Sequence, residues 1–387
     1  MTRLWEILPI RPFGLRCLIW RCAAVRILFR TRDGKVGDRF VFMEIEKMKK
    51  IFALSAVCCV LATGCYGDYT MDYEYTGVYS AYQYDLRTFV VGEGMKFDFT
   101  VALGGVVDND RDRAVEVESD DALLSTDLSV FSESDGTPSF TALDGLKGMG
   151  RLGALSQSYV SDAFASVTAI SPLPAGYYEL DGIDGLTIRK GRHTAAVTIR
   201  ATDEILSDPK AFTPYYALGF RIVNADADVL VKEKSFEVIA VKCENRFYGN
   251  WYHGGRTVVR SDATGEVVST DEYELTLPQA DSKVYRLTTV DAVAVKTDRM
   301  SGRTGSLLLT FDGDDITVSP ADGSDIIINP IQGHPSRFNG AKLLQDREIS
   351  LNYCYSNGDG TTTYVYDVLK FRNRVRDGIN EWQSETE

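Results

Sequence analysis

Only three histidines and seven cysteines occur among 387 residues, so a histidine-rich metal site and a disulfide scaffold of regularly spaced pairs both lack material. Basic charge is short as well: 42 Lys+Arg against 55 Asp+Glu leave a net charge of −13. That balance excludes the basic face a nucleic-acid binder needs. No G-x-S-x-G elbow, H-E-x-x-H pair, Walker loop or strand-borne G-x-G-x-x-G is present, which removes the motif-bearing enzyme classes. What is present is ordinary globular composition with an aromatic lean, 44% hydrophobic with 20 Tyr and 18 Phe. Wholesale disorder, collagen and coiled coil are therefore out, and the length favours two domains over one.

The run Met48 to Cys65 reads MKKIFALSAVCCVLATGC. Lys49 and Lys50 form a basic start, and the apolar run from Ile51 to Leu61 is too short to span a bilayer core of roughly 30 Å. It has the build of a signal peptide closed by Ala62-Thr63-Gly64. Small residues directly before Cys65 resemble a bacterial lipobox, in which the Cys is acylated and the chain is cut before it. The resemblance implies residues 48–64 as the signal, Cys65 as the lipidated residue and 65–75 as a tether. The alternative is a buried apolar element that happens to hold cysteines. Residues 1–47 are Arg-rich without a steady period and read as an over-long start preceding Met48; the other reading is a basic cytoplasmic arm before a signal anchor. Without residues 1–64, 30 basic and 50 acidic groups remain, so anchoring falls to acyl chains rather than to charge. Asp68, Asp72 and Glu74 behind Cys65 resemble the surface-export signal of Bacteroidetes lipoproteins, implying the outer membrane with the protein facing outward. Cys243 and Cys354 remain, each in a strand-like run, and read as two separate thiols with a single bridge as the alternative.

After Thr76 the chain alternates with period 2. Residues 95–101, 113–118 and 194–200 swap faces residue by residue, 215–223 and 235–241 follow with β-branched and aromatic residues, and each run is bounded by Gly, Pro, Asp or Asn, the pattern of half-buried antiparallel strands. This predicts an all-β chain with a β-sandwich over 76–243. Residues 125–172, rich in Ser, Gly and Ala, break the rhythm and read as a mobile insert with a short helix near Gln157 to Val167. From Asn245, the turns Asp312-Gly313 and Asn357-Gly358 sit between alternating runs, and successive hairpins predict an antiparallel barrel over 245–376. A short hinge is expected near Glu244, and the acidic tail 377–387 is expected to fray.

The runs from Leu86 to Val101 and Leu103 to Val106, with Asp112-Arg113, resemble the Ig-like N-terminal domain of a Bacteroidetes surface-lipoprotein family. Pro174 to Leu180, Ile188 to Gly191, Asp208-Pro209 and Tyr216 to Leu218 extend the likeness. The block from Phe247 to His253 onward is similar to that family's lipocalin-like C-terminal barrel. Together they cover roughly residues 65–380. The family is encoded beside SusC/SusD-like transporter pairs in glycan-utilisation systems. The resemblance therefore implies a non-catalytic, glycan-binding accessory protein on the cell surface, with such a transporter as partner and no cofactor. It hands over no catalytic residues. A structural or adhesive surface protein, fimbrial or stalk-like, is the alternative, and a glycosidase ranks below both, although two carboxylates would suffice for one.

Sugar binding wants a flat aromatic face with polar groups beside it. Trp251 and Tyr252 are the candidate pair, but neighbours on a strand face opposite ways, so one of them belongs to the core, and Trp251 is the better core residue. Seven tyrosines between Tyr66 and Tyr84 form either a strand face or a tether. Asp108 to Asp112 has alternating oxygen ligands but Arg113 where a calcium loop needs Gly; it reads as an acidic turn with Asp112 or Arg113 in a local ion pair. His193, His253 and His334 are scattered, and no metal site is expected.

Overall fold

The computed structural model describes residues 26–30, 36–40, 73–125, 141–148, 154–273, 275, 283–321, 323 and 325–383. The signal run 48–64, Cys65 and the tether up to residue 72 lie outside them. The chain divides into two compact units, Met1–Met71 and Asp72–Glu387. In the first, β1 (Arg26–Arg30) and β2 (Val36–Phe40) pair antiparallel, an element that the want of a steady period concealed.

The second unit is all β in its architecture, as the alternation predicts. Its strands are β3 (Gly77–Ser80), β4 (Tyr84–Val90), β5 (Lys96–Gly104), β6 (Arg113–Ser119), β7 (Ser171–Pro172), β8 (Tyr178–Asp181), β9 (Thr187–Ile188), β10 (Thr194–Ala201), β11 (Tyr216–Ala225), β12 (Val229–Leu230) and β13 (Phe236–Glu244). They form two sheets, β12-β3-β5-β10-β8 and β4-β13-β11-β6-β9, with β7 beside β11. The inward residues of both sheets, among them Phe99, Val101, Val197, Ile199, Phe220, Ile239 and Val241, make one core. Phe99 and Phe220 stack across it with centroids 4.9 Å apart.

Strand β13 is buried along its whole length, so its second face needs a cover too. The cover comes from the 125–172 segment. Helices α1 (Ala142–Lys147) and α2 (Ala154–Phe164) bring Leu146, Tyr159, Val160 and Phe164 onto Leu86, Ala217, Val238 and Ala240. Helix α1 sits so close to the sheet that a Cβ on Gly145 would lie 2.2 Å from the Tyr84 ring. The expectation of a loose insert is thus corrected for its described parts: apolar residues at i, i+4 spacing (Ala142 and Leu146; Val160 and Phe164) dock them. The helix begins three residues earlier than the composition suggested.

The remaining strands are β14 (Gly249–Ser261), β15 (Val267–Tyr273), β16 (Lys283–Thr289), β17 (Ala294–Thr297), β18 (Leu307–Asp312), β19 (Asp315–Pro320), β20 (Ile328–Pro330), β21 (Arg337–Phe338), β22 (Glu348–Ser356), β23 (Thr361–Arg376) and β24 (Ile379–Glu381). They run as an up-and-down meander from β14 through β22 to β23, and β23 returns to β14 in register from Asn250↔Asn373 to Ser261↔Thr361. The sheet closes into a barrel, which leaves few free edges. Hairpins stand at Asp312-Gly313 and at 357–360 as the turn residues demand. The interior carries Trp251, Tyr285, Leu309, Leu351, Tyr353, Val365 and Leu369.

Two junction expectations are corrected. The segment after Glu244 is packed: Asn245 Nδ2 donates to the carbonyls of Asp291 and Ala292, and Phe247 is 1% exposed in the barrel core. Over its described residues the tail is held from Asp377 on, because β24 pairs with the end of β23 and Glu381 accepts from Arg374 Nε at 2.6 Å. Cys243 lies buried in the sandwich and Cys354 half-buried on the barrel, both as free thiols.

Candidate functional site

Strand β23 alternates strictly. Thr363, Val365, Asp367, Leu369 and Phe371 point into the barrel and are buried, while Tyr364, Tyr366 and Val368 face out, half-buried. A carboxylate on the apolar parity has to be paired to be tolerated. Asp367, 1% exposed, is the hub of an interior network. Ser301 Oγ donates to its Oδ2 at 2.7 Å and Tyr273 Oη to its Oδ1 at 2.6 Å, with His253 Nε2 at 3.1 Å from Oδ1. Tyr353 Oη accepts from the Ser301 backbone N–H, and Tyr355 Oη donates to the Ser301 carbonyl. Burial first, then the Asp367 charge, holds the Tyr273 and Tyr285 phenols well above their usual pKa. They are therefore permanent donors to the carboxylate.

Ser301, His253 and Asp367 are the residue types of a hydrolytic triad, but the geometry is not that of one. In a triad the imidazole bridges, one nitrogen to the carboxylate and the other to the hydroxyl. Here Nε2 faces both groups, at 3.1 Å and 3.3 Å, and Ser301 donates straight to Asp367. Nε2 then donates towards Asp367, and Nδ1 is buried without a hydrogen-bond partner among the described residues. All three side chains are nearly inaccessible. The cluster fixes the barrel wall. Asp367→Asn keeps the shape but neutralises the acceptor of several donors, and should cost about 2 kcal/mol in urea unfolding; an unchanged midpoint would show that the cluster is not under tension.

One residue of this network also lines the outer wall. β14 pairs with β16 through residues 249–253 and with β15 through residues 255–260, so Gly254 lies between the two pairings. At that break Tyr273 and Leu275, with Gly254, Gly255, Arg256, Glu272, Glu348, Tyr366, Val368 and Lys370, line an open groove of about 640 Å³. Its glycine floor is obligatory. Gly255 has φ +132°, and a Cβ there would lie 2.1 Å from the Tyr366 carbonyl oxygen.

Beside the groove runs a ladder of rings and guanidinium groups on the outward faces of β14 and β23. Arg256 lies over Tyr366 at 5.1 Å, Arg260 over Tyr364 at 6.0 Å and Arg372 over Tyr252 at 5.7 Å. The edge of Tyr366 meets His334 at 5.4 Å.

Of the two sugar-binding candidates from the sequence, Tyr252 is on this surface, half-buried, and Trp251 is not. Trp251 is 0% exposed, its Nε1 donates to the Phe247 carbonyl at 3.0 Å, and Phe371 packs edge-on at 5.4 Å. Its place in a binding platform is corrected: strand alternation turns it into the barrel. The acidic turn 108–112 has Asp112 against Arg189 at 3.0 Å and accepting from the Lys190 backbone at 2.7 Å, while Asn109 holds the carbonyls of Arg189 and Arg192. The side chains of Asn109 and Asp112 are thus committed to the 189–192 segment. Of the early tyrosines, Tyr73, Tyr75 and Tyr82 are exposed. Arg256, Tyr364, Tyr366 and Arg372 were missed, since only barrel closure brings β14 and β23, a hundred residues apart in sequence, side by side; the parity of Tyr364 and Tyr366 against Val365 was the available signal.

No protein-family model and no curated protein matches the chain. A Bacteroides ovatus protein of unknown function, seen in a crystal structure, is similar at 19% identity and TM-score 0.55, over 81% of this chain and 99% of that one. A multidomain protein including DUF1735, also from Bacteroides ovatus, matches at 10% identity and TM-score 0.36, over 80% of this chain and 100% of that one. An auxiliary nutrient binding protein from Bacteroides thetaiotaomicron matches at 13% identity and TM-score 0.35, over 77% and 96%. The first of these shows that the fold recurs, over 81% of this chain, in a Bacteroides protein.

Proposed function

We propose that this chain is a non-catalytic glycan-binding accessory lipoprotein, acylated at Cys65 and held on the outer face of the outer membrane, serving a SusC/SusD-like importer. The observation that carries the binding part is the groove: a glycine floor, the Tyr366 ring at its side, and Arg256, Glu272, Glu348 and Lys370 around it. Its volume lies in the range of small-ligand sites. A sugar ring can bury its C–H face on tyrosine while charged groups pair with its hydroxyls, so that nothing polar is left unsatisfied. The lipobox-like run and the acidic residues after Cys65 support the address. The triad residue types sit sealed in the wrong geometry, which supports binding over hydrolysis.

The test is affinity electrophoresis of the full chain in gels containing neutral and acidic polysaccharides, with Tyr366→Ala alongside. Retardation of the wild type and its loss in Tyr366→Ala, at unchanged circular dichroism, is the expected result. No retardation by any polysaccharide would overturn the reading. A structural or adhesive role is the second reading, and one observation favours it. β15 pairs only with β14 among the described residues, and Val267 and Val268 on it are 51% and 62% exposed, an edge able to accept a neighbour's strand. Filaments in the absence of glycan binding would put that reading first.

A further inference from the structure

Resting on the glycan reading, we infer that the groove selects sugars bearing a carboxylate, uronic or sialic in kind, with Arg256 as the group that takes the anion. The chain is acidic, with a net charge of −13, and several of its surface arginines are matched. Arg111, Arg189, Arg221 and Arg337 each hold a carboxylate at 2.8–3.0 Å. The arginines of the β14–β23 ladder are not paired in this way. Among the described residues, Arg256 and Arg372 have no carboxylate within 4.0 Å; each rests on a tyrosine ring instead. Arg260 gives one N–H to the Gly265 carbonyl and is likewise without an acid.

Arg256 is the telling case. It stands directly opposite Glu272 across the β14–β15 ladder and opposite Tyr366 across the β14–β23 ladder. An exposed Arg beside a cross-strand Glu would normally pair with it. Here the guanidinium goes to the ring, 5.1 Å from its centroid. Glu272 stays at the groove with no ion pair or hydrogen bond among the described residues, while Glu348 is drawn 3.5 Å from Lys370.

The groove thus offers a planar cation that has been left unneutralised, next to an aromatic ring and next to a separate acceptor. A planar carboxylate fits the guanidinium fork with two parallel hydrogen bonds. A pyranose carrying one would then lay its ring towards Tyr366 and offer its hydroxyls to Glu272. Glu272 also repels an anion placed on the wrong side, which fixes the orientation of the sugar. The positive strip of Arg260 and Arg372 continues along β14 and β23 beyond the groove, so a chain with repeated acidic residues meets more than one cation.

The experiment compares polygalacturonate with its fully methyl-esterified form, and 3′-sialyllactose with lactose, by titration calorimetry on the full chain at 50 mM and 500 mM NaCl. We expect the acidic member of at least one pair to bind about tenfold or more tightly than its neutral partner. That preference should shrink at high salt and vanish in Arg256→Gln with the fold retained. Arg256→Lys should recover only part of it, since a point charge replaces the fork. Equal binding of acidic and neutral members, or an unchanged preference in Arg256→Gln, would overturn this inference and leave the glycan reading standing. Failure of every probe, neutral and acidic, would take the glycan reading down with it.

Discussion

Trp251→Ala should lose about 3–5 kcal/mol of unfolding free energy and still be retarded by whatever polysaccharide retards the wild type. The indole is 0% exposed at the start of β14, with its N–H on the Phe247 carbonyl and Phe371 edge-on beside it. Phe247 in turn stacks on Phe311 at 3.9 Å and meets Phe338 at 4.9 Å. Removing the indole opens a cavity against both Phe247 and Phe371, and a rigid barrel wall cannot collapse to refill it. The groove is on the outer side of the same strand, reached by Arg256 and the tyrosines of β23, so binding measured where the variant is still folded should persist. Urea unfolding and affinity electrophoresis on the same preparation check both halves. Lost retardation at unchanged stability would reverse the strand's facing and move the site into the barrel.

The strand pattern was legible because one face of most strands is wet. Met95 to Val101 and Thr194 to Arg200 alternate cleanly, and they pair with one another as β5 and β10. The turns were legible for the same local reason: Gly313, Gly358 and Gly360 supply the positive φ that their hairpins need. What stayed hidden depends on partners distant in sequence. Residues 235–241 read as a strand, but that both faces of β13 are covered follows only from α1 and α2 packing on it. The second of those helices was legible to within three residues, whereas the first was hidden by a Ser- and Gly-rich context, although the four-residue spacing of Ala142 and Leu146 is in the sequence. The site divides the same way. Asp367 occupies an apolar-parity position of β23, a local sign of a buried paired charge. Nothing near Arg256 in sequence reveals Tyr366.

Glu93 is the second residue whose removal should cost most, and the reason lies in what it leaves behind. It sits in the turn between β4 and β5, and its carboxylate takes Arg347 Nη2 at 2.8 Å and Arg374 Nη2 at 2.6 Å. Both arginine side chains are almost fully buried, at 6% and 3% exposure. Arg374 also donates to Glu381, and Arg347 to the carbonyls of Arg246 and Lys342. The turn of the sandwich is thereby pinned to the floor of the barrel. Although burial disfavours its charge, the hydrogen bonds and charges of Arg374 and Arg347 prevail and hold the Glu93 carboxyl below its ordinary value of 4.5. A depressed acid contributes stability above its unfolded pKa and loses it as pH falls through the folded one. The clamp should therefore be fully effective above about pH 4.5 and be lost progressively as the pH falls from there through the lower folded value. Glu93→Gln removes the charge and leaves two guanidinium groups buried with too few acceptors, which should cost about 3 kcal/mol at pH 7. The deficit should narrow as the pH drops below 4.5, because the wild type then loses the same charge. Replacing Glu93 by Leu and Arg347 by Met together should cost less than the two single changes added, since each single change strands a partner that the other removes. Urea unfolding of wild type, singles and double at pH 7 and pH 4 measures this coupling. A Glu93→Gln deficit that stays constant across that pH range would mean that the carboxylate contributes shape rather than charge, and that the sandwich and barrel are held together elsewhere.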